Sequence, residues 1–250
     1  PEWVCWYIEG SNLNPREFPT EALKIVLQLI AEIESIKRIT IESRPEFLTI
    51  PTVNLLEEIA TRYDLEIEIG SGIEVRNDVI RRECINKGGS RDSFADAVKI
   101  IKERKRLRIL AYVLLKPPFL TEREAIDEAI STIKDCFKIG VSTVSLEILG
   151  VHEFTLVEYL WFRGNYRPPW LWSAIEVILR THNLGEIRLG GEPTTYYPVS
   201  KRAAYNCDKC TKRIWKAFRG YNETHDTRIL EELSCQCKEK WFKTKKLRRC

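Results

Sequence analysis

The feature that most constrains this 250-residue chain is a repeat running through residues 1–190, in which a short apolar segment is followed by a helical stripe. Strands are predicted over 3–8, 37–43, 65–70, 108–115 and 141–146. Between them, Leu23, Val26, Leu27, Ile30 and Ile33 form one helical stripe, and Leu55, Leu56 and Ile59 mark a helix over 51–62. Further helical stretches lie at 76–85 and 91–104. Thr121 and Glu124 form a capping box for a helix carrying Ala125, Ile126, Ala129, Ile130 and Ile133. Such strand–helix repeats build a parallel sheet with helices outside.

The strands themselves alternate. Ile39 and Ile41 are separated by Thr40 and followed by Glu42, and Leu65, Ile67 and Ile69 are separated by Glu66 and Glu68. A parallel strand covered on both faces reads as almost continuously apolar, and a closed barrel with a packed interior is apolar inside. The alternation therefore predicts an open barrel whose lumen holds a polar ligand. The competing expectation is that Glu42, Glu66 and Glu68 lie on a solvated edge. Ligands bind at the C-terminal strand ends of such sheets. This places Glu9, Gly10 and Ser11, then Glu42, Ser43 and Arg44, then Glu68, Ile69 and Gly70 around one mouth.

No apolar run reaches the roughly 18 residues of a membrane span, and no Lys/Arg region followed by an apolar stretch is visible at the start, so a signal peptide is not expected. A cytoplasmic protein without a membrane segment is expected. The net charge of +4 permits a nucleic-acid partner without requiring one. There is no Met, and the chain opens directly on an apolar segment read as a buried strand. The expectation is a piece of a longer protein.

Cysteine usage separates residues 1–190 from 191–250. Cys5, Cys84 and Cys136 are scattered singly and read as small hydrophobes. Cys207, Cys210, Cys235, Cys237 and Cys250 lie together near the end. The C-x2-C and C-x-C pairs can close a tetrahedral shell of four soft thiolates, which favours structural zinc. An iron–sulfur cluster and unliganded thiols are the alternatives, and Cys250 looks spare. The tail is basic, with Lys238, Lys240, Lys243, Lys245, Lys246, Arg248 and Arg249 interleaved with Trp241 and Phe242. It reads as a phosphate-binding footprint or as a solvated helix face. Residues 150–182 form an aromatic-rich helical appendage, and Tyr166 to Ser173 reads as a loop over a core or as a surface for bases or a partner.

Several of these segments carry a family resemblance. Gly10–Ser11, Asn14 to Pro19 and Glu42 to Glu46 resemble radical-SAM proteins of the elongator-catalytic-subunit type. Glu68 to Gly70, Ile85 to Gly88, Tyr112 to Glu122, Thr155 to Glu158, Tyr166 to Ser173, Asn206–Cys207 and the Cys235/Cys237 pair are similar to the radical-SAM subunits of archaeosine synthases. The resemblance spans essentially the whole chain. It implies an α/β fold, an open partial (β/α) barrel of radical-SAM type, with a small C-terminal zinc-binding helical segment.

The resemblance also implies an archaeal tRNA-modifying lyase. A partner subunit attaches lysine to 7-cyano-7-deazaguanine at tRNA position 15. The radical-SAM subunit then cleaves the adduct, using S-adenosylmethionine and a [4Fe–4S] cluster. Gly10 and Ser11 would hold the amino end of S-adenosylmethionine, and Glu42, Ser43 and Arg44 its ribose and carboxylate, with Glu68 and Gly70 bordering the mouth. The basic tail would contact tRNA. The three closely spaced cysteines of a radical-SAM cluster are not in this sequence, and the family places them before the first strand read here. After Glu68 this chain also has Gly70–Ser71–Gly72–Ile73–Glu74 where the family tends to carry Gly-Leu-Glu-Thr. A noncatalytic, zinc-stapled homologue serving as a tRNA- or protein-binding scaffold is the alternative. A hydrolytic barrel using Glu42 and Glu68 lacks any nucleophile motif.

Overall fold

A computed structural model describes residues 1–8, 10–193 and 202–247. Glu9, Arg248, Arg249 and Cys250 lie outside the described residues. Among those described, six strands form one parallel sheet: β1 (Trp3–Trp6), β2 (Arg38–Glu42), β3 (Glu66–Glu74), β4 (Leu107–Leu115), β5 (Thr143–Ile148) and β6 (Glu186–Gly190). The hydrogen-bonded order follows the chain, so β1 and β6 are edges and the sheet is open. The helices are α1 (Thr20–Ala31), α2 (Ile50–Arg62), α3 (Asp78–Ile80), α4 (Arg91–Ile101), α5 (Glu122–Ile139), α6 (Leu156–Phe162), α7 (Leu171–Leu179), α8 (Thr211–Thr224), α9 (Arg228–Glu231) and α10 (Cys237–Lys246).

Two compact units divide the chain. The first comprises Pro1–Ile73, Gly88–Tyr112 and Cys136–Thr143; the second comprises Glu74–Lys87, Val113–Asp135 and Val144–Cys250.

In the first unit, the β1–β2–β3 register pairs Trp3 with Arg38 and Glu66, and Cys5 with Thr40 and Glu68. Successive side chains on a strand point to opposite faces, so these residues share one face. Ile39, Ile41, Ile67 and Ile69 share the other and are buried with Leu23, Leu27, Val53, Leu56 and Phe94. The polar face is not a solvated edge at its centre, because Thr40 and Glu68 are fully buried. Thr40 Oγ1 accepts from Trp3 Nε1 at 2.7 Å and donates to Glu68 Oε2 at 3.1 Å. Glu66 pairs with Arg38 at 2.9 Å.

The helix starts follow local chemistry. Thr49 caps α2, with Pro51 in its first turn, and Ser90 and Ser93 make a reciprocal capping box on α4. Glu124 N–H donates to Thr121 Oγ1 at 3.3 Å and Thr121 N–H to Glu124 Oε2 at 2.8 Å, the box read from the sequence.

Several elements depart from expectation. β3 does not stop at Gly70 but runs on to Glu74, whose φ of +60° ends it. Gly70 has a different role: a Cβ there would stand 2.5 Å from the Tyr112 hydroxyl, so only glycine leaves Tyr112 its place. β1 is shorter than read and is not buried, because it is an edge; Trp3 is 43% and Tyr7 50% exposed. Cys5, on the same edge, is exposed rather than a core hydrophobe, whereas Cys136 is fully buried. Ile33 falls beyond α1 and is exposed. The 76–85 stretch is a short α3, capped by Asn77, followed by a π-turn at Arg81–Ile85. β6 was not read at all.

In the second unit, Tyr166, Trp170, Leu171, Trp172 and Ser173 are buried, so that run packs into a core. Its polar centre is Glu122, whose Oε2 accepts from Lys116 Nζ at 2.7 Å. Glu122 Oε1 accepts from Trp170 N–H at 2.8 Å and Ser173 Oγ at 2.5 Å. The C-terminal segment has its own apolar residues, with Ile214, Trp215, Phe218, Tyr221, Leu230 and Trp241 all buried.

Candidate functional site

The first unit brings the loop after β1, the C-terminal end of β2 and the middle of β3 together through short hydrogen bonds. Asn12 N–H donates to Glu42 O and Glu42 N–H to Asn12 Oδ1, both at 2.9 Å. Ser43 N–H donates to Gly70 O at 2.9 Å. The Ser11 and Ser43 hydroxyls lie 2.9 Å apart, and Arg44 N–H donates to Ser11 Oγ at 3.3 Å. Gly10 adopts φ +141°, where a Cβ would collide with the Glu17 carboxylate. Gly10, Ser11, Glu42, Ser43, Arg44 and Gly70 are thus assembled at one mouth. Glu68 sits two residues deeper on β3, bound to Thr40.

Three mouth residues escaped the sequence reading. Tyr112 on β4 donates to Glu42 Oε1 at 2.7 Å, orienting that carboxylate. Tyr7 lies beyond β1, and partial burial, then Cys5, push its phenol above the ordinary range. Asn12 is fully buried, and its Nδ2 has no hydrogen-bond partner. An orphaned buried donor at the end of β2 lacks the acceptor that buried polar groups ordinarily have. Its only sequence signal was a polar residue in the loop after the first strand.

Glu17 holds the 10–17 loop. Its carboxylate accepts from Ser11 N–H and from Asn14 Nδ2, each at 2.6 Å. The Ser11 backbone bond, then Asn14, keep its pKa below the usual carboxylate range. A depressed folded-state pKa gives a loop stabilisation that is full above the ordinary Glu value and lost as pH falls through the lowered one. The Ser11 amide resonance is therefore expected to titrate with a midpoint below the ordinary Glu pKa, and Glu17→Gln to abolish that transition. A midpoint at the ordinary value would show that the loop does not depend on this carboxylate.

The second unit assembles the four cysteines. Cys207 Sγ lies 3.4 Å from Cys210 Sγ and 3.6 Å from Cys235 Sγ, and Cys210 Sγ lies 3.5 Å from Cys237 Sγ. All four sulfurs fall within 4.8 Å of one another. Tetrahedral zinc with Zn–S bonds near 2.3 Å spaces its sulfurs by about 3.8 Å, so the group can hold one metal ion with little adjustment. Cys210 precedes α8, and Cys237 opens α10. Trp172 Nε1 donates to Cys237 Sγ at 3.3 Å, an outer-shell bond of the kind that orients a ligand. Burial pushes the Cys210 and Cys237 thiols up, whereas the Cys237 backbone N–H lowers Cys235 to about 7. A divalent cation supplies the positive charge that buried thiolates lack.

The basic tail is not uniform. Lys245 Nζ donates to Glu176 Oε2 at 2.5 Å and lies 4.3 Å from the Trp241 ring centre, and Lys238 Nζ sits over Trp172 at 5.3 Å. Lys240, Lys243 and Lys246 are exposed. Trp241 is buried and donates to Ser173 Oγ at 2.9 Å, so it is a core residue. No helix among the described residues is long and apolar enough to cross a membrane.

No family model matches the chain. Individual proteins do. The chain is 36% identical to an uncharacterised protein of Methanocaldococcus jannaschii across 94% of its own length, and it spans 63% of that relative. It is 33% identical to archaeosine synthase subunit beta of Methanosarcina acetivorans, covering 97% of this chain and 69% of the relative. The same-named protein of Thermococcus kodakarensis is 34% identical, covering 96% and 73%. Among solved structures, the archaeal Elp3 of Methanocaldococcus infernus superposes with a TM-score of 0.60 over 88% of this chain and 54% of that one, at 15% identity. That likeness shows the fold: an α/β, open partial (β/α) barrel. With a third of its residues shared along nearly all of its length with two such subunits, the chain belongs to the archaeosine synthase subunit beta family.

Proposed function

We propose that the chain is the cofactor- and RNA-binding body of a radical-SAM tRNA-modifying enzyme that acts in archaeosine formation. The observation that carries this reading is the cluster at the end of β2, where Ser11, Glu42, Ser43 and Gly70 are hydrogen-bonded together around the orphaned Asn12 amide. Gly10 and Ser11 would receive the amino end of S-adenosylmethionine. Glu42, held by Tyr112, would receive the ribose, and Ser43 and Arg44 the carboxylate. Glu68 and Gly70 would border it. When bound beside a [4Fe–4S] cluster, this cofactor supplies hydrogen-atom abstraction from the substrate. The cluster does not fit the residues of this chain, because Cys5, Cys84 and Cys136 stand singly in sequence and the remaining described thiols form the four-cysteine group. No residue here is assigned to it.

The substrate proposed is the lysine adduct of 7-cyano-7-deazaguanine at tRNA position 15, delivered by the lysine-transferring subunit, and the reaction is a lyase cleavage in the cytoplasm. Zinc is proposed at Cys207, Cys210, Cys235 and Cys237. Lys240, Lys243 and Lys246 are proposed to contact tRNA phosphates; Arg248 and Arg249, which lie outside the described residues, are proposed to do the same. Lys238 and Lys245 would contribute mainly through packing.

Calorimetric titration of S-adenosylmethionine tests the mouth. Asn12→Ala and Arg44→Ala are each expected to weaken binding about tenfold, the loss of one or two hydrogen bonds to a charged ligand. Equal affinity in both variants would remove the cofactor from this mouth. Intact tRNA binding with no cofactor binding would favour the scaffold reading.

A further inference from the structure

We propose that a cavity in the second unit is a pocket for an unstacked nucleobase, the point at which this chain holds a flipped or single-stranded nucleotide of its RNA. The inference rests on the reading that the chain acts on tRNA, and it names the RNA-binding element. The cavity measures about 320 Å³ and is lined by Trp161, Arg167, Pro168, Ala203, Tyr205 and Asn206. That volume falls at the lower end of small-ligand sites, about 300–1,000 Å³.

Two kinds of surface line it. Trp161 and Tyr205 present aromatic rings, and Pro168 and Ala203 are small and apolar. Arg167 adds a guanidinium to the wall, and Asn206 lies behind it with a buried amide. The Arg167 guanidinium lies 3.8 Å from the Trp170 ring centre and donates to Tyr205 O at 2.6 Å, so its plane is held in place. Asn206 is only 5% exposed. Its Oδ1 accepts from Leu171 N–H at 2.8 Å, which settles which way the amide points. Its Nδ2 has no hydrogen-bond partner. A buried amide donor left unpaired is costly unless a ligand supplies an acceptor.

The Tyr205 hydroxyl is already engaged with Asp208, so its ring rather than its oxygen is what it offers. Among the described residues, no carboxylate lines the cavity. Aromatic rings, a guanidinium plane and an isolated N–H donor fit a flat, acceptor-edged ring. Proteins hold single-stranded RNA bases in this way, by stacking on aromatic and Arg planes with edge hydrogen bonds. The same helix exposes Tyr159 and Phe162 beside Trp161, further surface for neighbouring bases.

Binding of an unmodified tRNA transcript by Trp161→Ala and Arg167→Ala tests the pocket, with thermal melts and metal content confirming that each variant is folded. Each is expected to bind about tenfold more weakly, as for one lost base stack. Trp161→Ala should leave the salt dependence unchanged, because no charge is lost. A short oligoribonucleotide should compete for the wild-type protein, and an abasic strand of equal length should compete about tenfold less well. Variants that bind as wild type, or equal competition by the abasic strand, would overturn the pocket. So would loss of a protein partner with RNA affinity intact. A wild-type protein that prefers the base-bearing strand yet binds tRNA no better than unrelated RNA would overturn the tRNA reading and leave the pocket standing.

Discussion

Protein loaded with zinc and then stripped by a strong chelator is expected to lose its C-terminal helices and to melt at least about 10 °C lower. The four cysteines join the start of α8 to the start of α10, and apart from Cys207–Cys210 and Cys235–Cys237 every link crosses more than twenty residues. Zinc-finger peptides derive about 10–16 kcal/mol of folding free energy from such sites. The segment keeps part of its own packing, through Ile214, Trp215, Phe218 and Trp241, so only a fraction of that range is lost. A loss of about 5 kcal/mol already lowers Tm by 10–20 °C in a chain of this length. Cys207→Ser and Cys235→Ser should each reproduce the effect and lower bound zinc below one per chain. An unchanged melt and unchanged zinc in both variants would assign these thiols no metal.

Removing Glu122 is expected to be the most damaging single change in the second unit. Glu122 is 2% exposed and Lys116 8%, so their contact excludes water. The same carboxylate accepts from Trp170 N–H and Ser173 Oγ, and Ser173 accepts from Trp241. Glu122→Ala strands a buried ammonium and two donors, and breaking one partner of a buried pair costs about 3–5 kcal/mol. Glu122→Gln keeps the donors' acceptor and should fall between. Replacing both members, as Lys116→Met with Glu122→Leu, should recover much of the loss, because no charge is then left uncompensated. Denaturant melts decide it: a double variant no better than Glu122→Ala would mean that the Trp170 and Ser173 bonds, not the ion pair, carry the stability.

What the sequence revealed, and what it hid, follows from the range over which each signal acts. The cysteine pairs are local, so their spacing alone pointed to one four-thiol group. The alternation of Ile39, Thr40, Ile41 and Glu42 is equally local, and it pointed to a sheet with one polar face. Gly70 was misread because its constraint is tertiary: the crowding comes from Tyr112, a strand away. Trp3 and Tyr7 suggested burial by their composition, yet they lie along an edge, and edge position depends on which strands come later. β6 alternates as β2 does, with Ile187 and Leu189 buried between the half-exposed Glu186 and Arg188, so its mark is in the sequence and as local as that of β2. Asn12 and Asn206 became visible only once every other bond around them could be traced, because an unpaired donor leaves no mark in sequence.

The division of each central strand into an isoleucine face and a polar face also acts as a proofreading device during folding. Sliding β2 by one position against β1 and β3 would turn Arg38, Thr40 and Glu42 toward the helices and press Ile39 and Ile41 against Glu66 and Glu68. A mispaired intermediate would thus bury three polar side chains without their partners, and it would reopen rather than persist. The residues that give β2 and β3 one polar face thereby supply an error check on the pairing of those strands.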